Sequence, residues 1–261
     1  MYKKIISYVK REGLLAFFLK ILDFVLIPFG ISFISFLNLK DYDLTKNPYV
    51  ENNSNNQTIF SKIYEDHYWK SKESVSGSGS DLNALRKYNK NLYKFIDNFK
   101  IKSLFDVPCG DFLFMSKFLQ DKNISYIGGD IVESLINNNK KKFPKYKFIK
   151  FDILNDKIND FYDVLHVKDC LFHFSFEDIN KTLDNIIQFN TKYTLITSHK
   201  SLILKNVDIK TGKFRYLDLE KKPFNFPKPL VELKDYNFNI GNFPRYVGVW
   251  KTEDLKKHIK K

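Results

Sequence analysis

Residues 103–115 read SLFDVPCGDFLFM. An apolar, strand-like run stops at Asp106, Pro108-Cys109-Gly110-Asp111 interrupts it, and apolar residues resume at helical spacing. In α/β sheets the loop between such a strand and its helix is where ligands sit. The residues of the loop limit what the ligand can be. A dinucleotide loop needs G-x-G-x-x-G and a Walker loop needs Gly-Lys-Ser/Thr, so that backbone N–H groups reach phosphate oxygens at a helix N-terminus. This loop has one glycine, Gly110, and two carboxylates, Asp106 and Asp111, which repel a diphosphate and attract a cation.

The pattern around this stretch gives the fold class. Strand-like runs recur at 125–131 (SYIGGDI), 146–153 (YKFIKFDI), 162–168 (YDVLHVK) and 193–198 (YTLITS). Helical spacing falls between most of them, at 111–121, 133–142 and 177–189. Nearly continuous apolar strands alternating with helices predict an α/β fold with a Rossmann-like, doubly wound, mostly parallel sheet. Two more strands are expected at 230–235 and 245–250, and a short helix from Thr252. Upstream, Leu82, Leu85, Tyr88, Leu92, Phe95 and Ile96 mark a helix that Asp81 is placed to cap.

Two further acids end strands in this scheme. Asp130 follows Asp106 at about the spacing at which nucleoside-binding folds place an acid on the ribose hydroxyls. Asp152 ends the next run and can accept from an adenine amino group. Three carboxylates on successive strand ends suit an adenosine that carries positive charge and no phosphate. S-adenosyl-L-methionine, with its sulfonium and ammonium, has that form.

With these residues in place, 103–200 resembles the core of class I S-adenosylmethionine-dependent methyltransferases. LFDVPCGDF resembles the family's first motif, YIGGDI the second, FIKFDI the third and DVLHVKDCLFHFSFED the fourth. Pro108 and Phe112 stand where the family usually has glycine. The resemblance implies that cofactor meets Asp106, Pro108, Cys109, Gly110 and Asp111, then Asp130 and Ile131, then Asp152 and Ile153, with Lys168 as a further contact or a surface charge. Together with ESVSGSGSDLNALRKYNKNL and NVDIKTGKFRYLDLEKKPFNFPKPL, the motifs are similar to a bacterial subgroup, covering about residues 64–251. Some members of it occur with surface (capsular) polysaccharide genes. The expected activity is O-methylation of a saccharide, a sugar nucleotide or a phosphate- or phosphoramidate-bearing precursor.

Transfer to a hydroxyl needs a base beyond the fourth or fifth strand. His173, in KDCLFHF, is the first choice, against a reading in which it packs among Phe172, Phe174 and Phe176. Asp169 is placed to orient it or the acceptor, and His199, in LITSHK, is second. Asn206, Asp208 and Arg215 are candidates for binding the acceptor, the alternative being a hairpin turning at Thr211-Gly212. SVSGSGS can close over the cofactor carboxylate with Arg86 nearby, while His166 reads as core and His67 and His258 are assigned nothing. No spaced ligand cluster demands a metal.

The chain has 261 residues, 43% of them hydrophobic, which is enough for one large core. Its formal charge of +13 fits nucleic acid or an anionic membrane, but the Lys residues are scattered like a solvated coat. The fourth strand ends in KDCLFHF and not in the Asp/Asn-Pro-Pro-aromatic string of amino-methylating DNA enzymes, so nucleic acid is the lesser expectation. A non-catalytic binding protein on the same fold is the other alternative. Two cysteines without a C-x-x-C pair point to a reducing, cytoplasmic setting. Residues 14–37 are apolar, but the uncharged run 24–37 is shorter than the ~20 residues a spanning helix needs. They read as an interfacial or subunit-facing helix, giving peripheral contact with the inner membrane face, or as a helix packed on its own domain. The expected division is an apolar helical extension at 1–45, a linker and cofactor lid at 46–80, and the methyltransferase domain at 81–261.

Overall fold

A computed structural model describes residues 47–50, 55–69, 71, 73–77, 80–82, 85–200, 205–235 and 243–260, with Phe18, Ile21, Leu22, Val25 and Leu26 upstream. Most of the apolar segment 14–37 lies outside the described residues. Among the described residues no helix is long and apolar enough to cross a membrane.

Seven strands form one sheet: β1 (Ser103–Asp106), β2 (Ser125–Asp130), β3 (Lys147–Lys150), β4 (Tyr162–Val167), β5 (Thr191–His199), β6 (Val231–Lys234) and β7 (Arg245–Lys251). Their order is β3-β2-β1-β4-β5-β7-β6. The first five are parallel, and β7 runs antiparallel to both β5 and β6. The described helices are α1 (Asn56–Glu65), α2 (Arg86–Asn98), α3 (Leu113–Phe118), α4 (Glu133–Lys142), α5 (Phe176–Ile186) and α6 (Thr252–Ile259).

The strands are buried on both faces because successive side chains point to opposite sides. Leu104, Tyr126, Val164 and Leu195 pack with α2, α3 and α4 in one core. Their neighbours Phe105, Ile127, Leu165 and Ile196 pack with α5 and α6 in the other. Each fully buried side chain of this size stabilises by about 1.5–3 kcal/mol. The doubly wound, mostly parallel architecture read from the sequence is therefore present.

Three local readings differ. The helix after Asp81 begins at Arg86, with Leu85 at the cap; Asp81 instead accepts from Ser71 Oγ. The third strand stops at Lys150, because Asp152 folds the chain into a turn by accepting from the Leu154 N–H at 3.0 Å. The stretch 46–80, read as linker and lid, contains α1. Asn55 caps that helix by accepting from the Thr58 N–H, and Ile59 and Ile63 are buried against Val50. The two apolar positions a turn apart were masked by the Asn-rich flank.

Phe112 occupies the position where glycine is usual, and its backbone is left-handed with φ 60°. That conformation costs a non-glycine residue roughly 1–2 kcal/mol. The ring offsets the cost: it is 1% exposed and meets Tyr126, Phe143, Tyr146 and Phe148 at centroid distances of 4.9–5.0 Å. Emptying a buried Phe site costs about 3–5 kcal/mol. Phe112→Gly should therefore lower stability by about 2 kcal/mol or more in denaturant unfolding. A more stable glycine variant would show that backbone strain, not the ring, dominates here.

Candidate functional site

The carboxyl ends of β1 to β4 open onto a cavity of about 320 Å³, within the range of small-molecule sites. The loop after β1 is fixed by two ladder-like bonds, Val107 N–H to His166 O (2.9 Å) and Cys109 N–H to Gly129 O (2.8 Å). Gly110 has φ 55°, and a Cβ there would overlap Ser76 Oγ, so glycine is required where the loop meets residues 74–77. Five carboxylates line the cavity: Asp106, Asp111, Asp130, Asp152 and Asp169. Among the described residues only Lys168 and Arg245 add basic charge to its wall.

Asp130, the last residue of β2, is 6% exposed and accepts from the N–H groups of Val132 (3.0 Å) and Gly110 (3.2 Å). Burial pushes its pKa up to about 6, against those two bonds. Each oxygen has a second lone pair with which to accept a hydroxyl. Protonation removes acceptor capacity, so binding of a hydroxyl ligand requires the ionised form. Affinity for such a ligand should be flat above pH 6 and fall as pH drops through 6; calorimetry across that window checks this, and Asp130→Asn should abolish the dependence. Asp152 also lines the cavity, accepting from Asn155 Nδ2 (2.8 Å) as well as Leu154.

Asp106 sits in a buried polar chain. Its Oδ2 accepts from Tyr126 OH (2.9 Å), and Oδ1 meets His166 Nδ1 at 2.6 Å. His166 Nε2 in turn meets Tyr88 OH at 2.6 Å. With Asp106 as acceptor, Nδ1 carries the proton and Nε2 accepts from Tyr88. His166, read as core, is buried, but it also lines the cavity and holds the first acid of the loop. The pairing follows from the β1–β4 register, which sets Asp106 beside His166. Asp111 faces residues 74–77, accepting from Ser74 Oγ (2.8 Å) and Val75 N–H (3.1 Å).

His173 ends a 3-10 turn (Leu171–His173) after β4 and lines the cavity. Its Nδ1 donates to Lys213 O at 2.8 Å, a tautomer that leaves the lone pair on Nε2. Burial pushes its pKa down to about 4, outweighing the upward pull of the Lys213 bond and Asp169. The imidazole is therefore neutral at ordinary pH, with Nε2 a hydrogen-bond acceptor.

Asp169 borders the cavity but does not orient His173, as expected from sequence; the Lys213 carbonyl does that. Its oxygens are taken by Lys168 Nζ (2.5 Å), Arg245 Nη1 (3.1 Å) and Thr197 Oγ1 (3.2 Å). Burial pushes its pKa up, but Arg245 and Lys168 outweigh this and hold it at about 2. Lys168 is not a surface charge: it is buried and lies 3.8 Å from Asp235, which also pairs with Arg245 Nε at 2.7 Å. The result is a compact quartet of two cations and two anions at the cavity wall.

Other expected site residues are elsewhere. His199 is buried behind the wall, between Phe172 and Tyr216, and its Nδ1 accepts from Leu217 N–H (3.2 Å). Burial pushes its pKa to about 3. Asn206 donates to Asp218 O (2.8 Å) and Lys222 O (2.9 Å), and Asp208 accepts from Phe176 N–H (2.7 Å) at the start of α5. Arg215 is buried, with Nη1 on Phe174 O (2.6 Å) and its guanidinium over the Phe176 ring. None of these four borders the cavity. They brace the 206–219 segment, which covers the turn carrying His173. Arg86 is exposed and away from the wall. Pro108, Cys109, Ile131 and Ile153 do line it. Both cysteines are free and buried, and burial pushes their thiols up, so neither is poised as a nucleophile.

The sequence reading missed part of the wall. Phe60, Tyr64 and Trp69 come from α1 and the turn after it, and Arg245 from the start of β7. Among the described residues no group of three or more His, Cys, Asp and Glu side chains is placed to hold a metal ion.

No protein-family model and no curated protein sequence matches the chain. Solved structures do. A 1,6-didemethyltoxoflavin-N1-methyltransferase from Burkholderia thailandensis, with bound 1,6-didemethyltoxoflavin and S-adenosylhomocysteine, is similar with TM-score 0.53 and 13% identity, over 75% of this chain and 86% of that one. Magnesium protoporphyrin IX methyltransferase from Synechocystis PCC 6803, with bound SAM, is similar with TM-score 0.51 and 9% identity, over 77% of this chain and all (100%) of that one. The fold is that of the class I methyltransferases.

Proposed function

We propose that the protein is an S-adenosylmethionine-dependent methyltransferase acting on an oxygen of a small polar acceptor. The observation that carries this reading is the cavity wall. Five carboxylates face a ligand space at the strand ends, in a fold whose solved examples hold S-adenosylmethionine or its demethylated product. The fit to that cofactor rests on the donor set. Carboxylates only accept, as ribose hydroxyls, an adenine amino group and an ammonium require, and the wall's two basic groups are both engaged by Asp169.

When bound, S-adenosylmethionine supplies an electrophilic methyl on its sulfonium. Asp130 would hold the ribose hydroxyls, Asp152 the adenine amino group, and the Gly110 loop the methionine end. His173 would take the acceptor's hydroxyl proton on Nε2, leaving the oxygen free to receive the methyl as its bond to sulfur breaks. The aromatic walls keep water off the base, and the cavity holds the acceptor in line, which is itself a large part of the acceleration.

The acceptor we favour is a saccharide or sugar nucleotide, a precursor of surface polysaccharide. The sequence resemblance to the bacterial subgroup supports it, as do Trp69, Phe172 and Phe214 near His173, which suit the apolar face of a sugar ring. A phosphate or phosphoramidate acceptor is less favoured, because Lys168 is ion-paired and Arg215 lies behind the wall. Residues 14–37, with Lys3, Lys4, Lys10 and Arg11 ahead of them, would place the enzyme peripherally on an anionic membrane face. A methyl-transfer screen on nucleotide sugars, free glycosides and phosphorylated sugars tests the acceptor. Transfer to a ring hydroxyl supports the reading. Transfer only to phosphate, or to RNA, overturns it.

A further inference from the structure

Trp69 is half-buried and stacks on His173, with ring centroids 5.3 Å apart and planes 30° apart. Its position is fixed from the cofactor side of the cavity. Gly77 lies against it, so closely that a Cβ at residue 77 would be 3.3 Å from Trp69 Cβ. The Gly77 N–H donates to Ser74 O (3.2 Å). Ser74 Oγ and Val75 N–H donate to Asp111, and the Asp111 N–H donates to Ser76 Oγ (3.0 Å). One run of contacts thus leads from the loop after β1, through residues 74–77, to Trp69 and the imidazole.

The rest of the cage around His173 comes from other elements. Phe172 and Phe214 lie at 4.6 and 5.7 Å, and Lys213 O takes the Nδ1 proton. Asp169, Arg215 and Arg245 are the charged groups that act on it. Trp69 is the one wall of this cage that belongs to the segment ahead of the sheet. A flat apolar ring against an imidazole does two things: it restricts rotation about χ2 and it excludes water from one face.

We propose that Trp69 is a positioning residue for His173, holding the imidazole plane and keeping it dry, and that residues 74–77 tie this placement to the cofactor loop through Asp111. The catalytic meaning of that placement rests on the methyltransferase reading above, but the physical claim does not. Base and cofactor loop would then be set by one strap, so that an acceptor meets a competent base only when the loop is in order.

Histidine NMR titration of the full chain decides the matter, since the protein has only five histidines. In Trp69→Ala, the His173 midpoint should move up by about one pH unit or more toward the ordinary value as water reaches the ring. Trp69→Phe, which keeps a ring, should leave it in place. The His166 and His199 signals, away from Trp69, should not move and report an intact core. Should the alanine variant unfold, Trp69→Leu carries the same test with a smaller upward shift. In a second arm, S-adenosylhomocysteine should perturb the His173 resonances of the unaltered protein, and clearly less in Asp111→Asn. A His173 midpoint unchanged in the alanine or leucine variant overturns the proposal. Failure of S-adenosylhomocysteine to bind at all would sink the methyltransferase reading, while the titration of the Trp69 variants would still decide this one.

Discussion

His173→Ala should lower methyl-transfer turnover by roughly 10²-fold or more, the usual contribution of a positioned general base, with affinity for S-adenosylmethionine unchanged. The split between the two quantities is what makes the test specific. His173 lies in the turn after β4, whereas the acids read as cofactor contacts end β1 and β2 or lie in the loops after β1 and β3, so the imidazole has no part in holding adenosine. Its low pKa keeps the lone pair available while weakening its basicity. With Nδ1 committed to Lys213 and burial holding the pKa near 4, Nε2 is unprotonated throughout the working range. The acid limb of kcat/KM should therefore follow Asp130, near pH 6, and not His173. Stopped-assay rates at limiting cofactor give the acid limb and at saturating cofactor the turnover, and calorimetry gives the affinity. A fully active alanine variant would remove His173 as the base.

Asp130→Ala should weaken S-adenosylmethionine binding by about 1–3 kcal/mol, the scale of losing charge-assisted hydrogen bonds, or roughly five- to 150-fold in Kd. The residue also has a structural task, since it accepts from Gly110 and Val132 and so holds the loop against β2. Asp130→Asn separates the two. The amide retains an acceptor for one backbone N–H and loses the charge, so it should keep the fold while giving up most of the affinity. Undiminished binding in both variants would reject the ribose role.

How far the sequence could be read follows a physical line. Residues 103–115 disclosed the strand, the loop and the helix because a continuous apolar run stops and apolar residues resume at helical spacing across a glycine and two acids. The parallel strands were legible for a related reason: buried on both faces, they are apolar throughout. What depends on register or on a covering segment was not legible. His173 and His199 look alike in sequence, each following an apolar strand. Only the 214–219 segment separates them, because the His199 N–H bonds to Leu217 O (2.7 Å) and that strand end is sealed. Asn206, Asp208 and Arg215 were sensible sugar ligands by chemistry, yet their partners turned out to be carbonyls, a helix start and an aromatic face of the same chain. Lys168, which the sequence left as either a contact or a surface charge, is buried because Asp235, just after β6, pairs with it and with Arg245, at the start of β7.

The wall of carboxylates is the central claim, and one experiment addresses it most directly. Titration calorimetry of the full chain, near neutral pH and in one buffer, would compare S-adenosylmethionine with NAD. The account predicts saturable binding of the sulfonium nucleoside and none of the dinucleotide. Tight binding of NAD, with S-adenosylmethionine unable to compete, would contradict it.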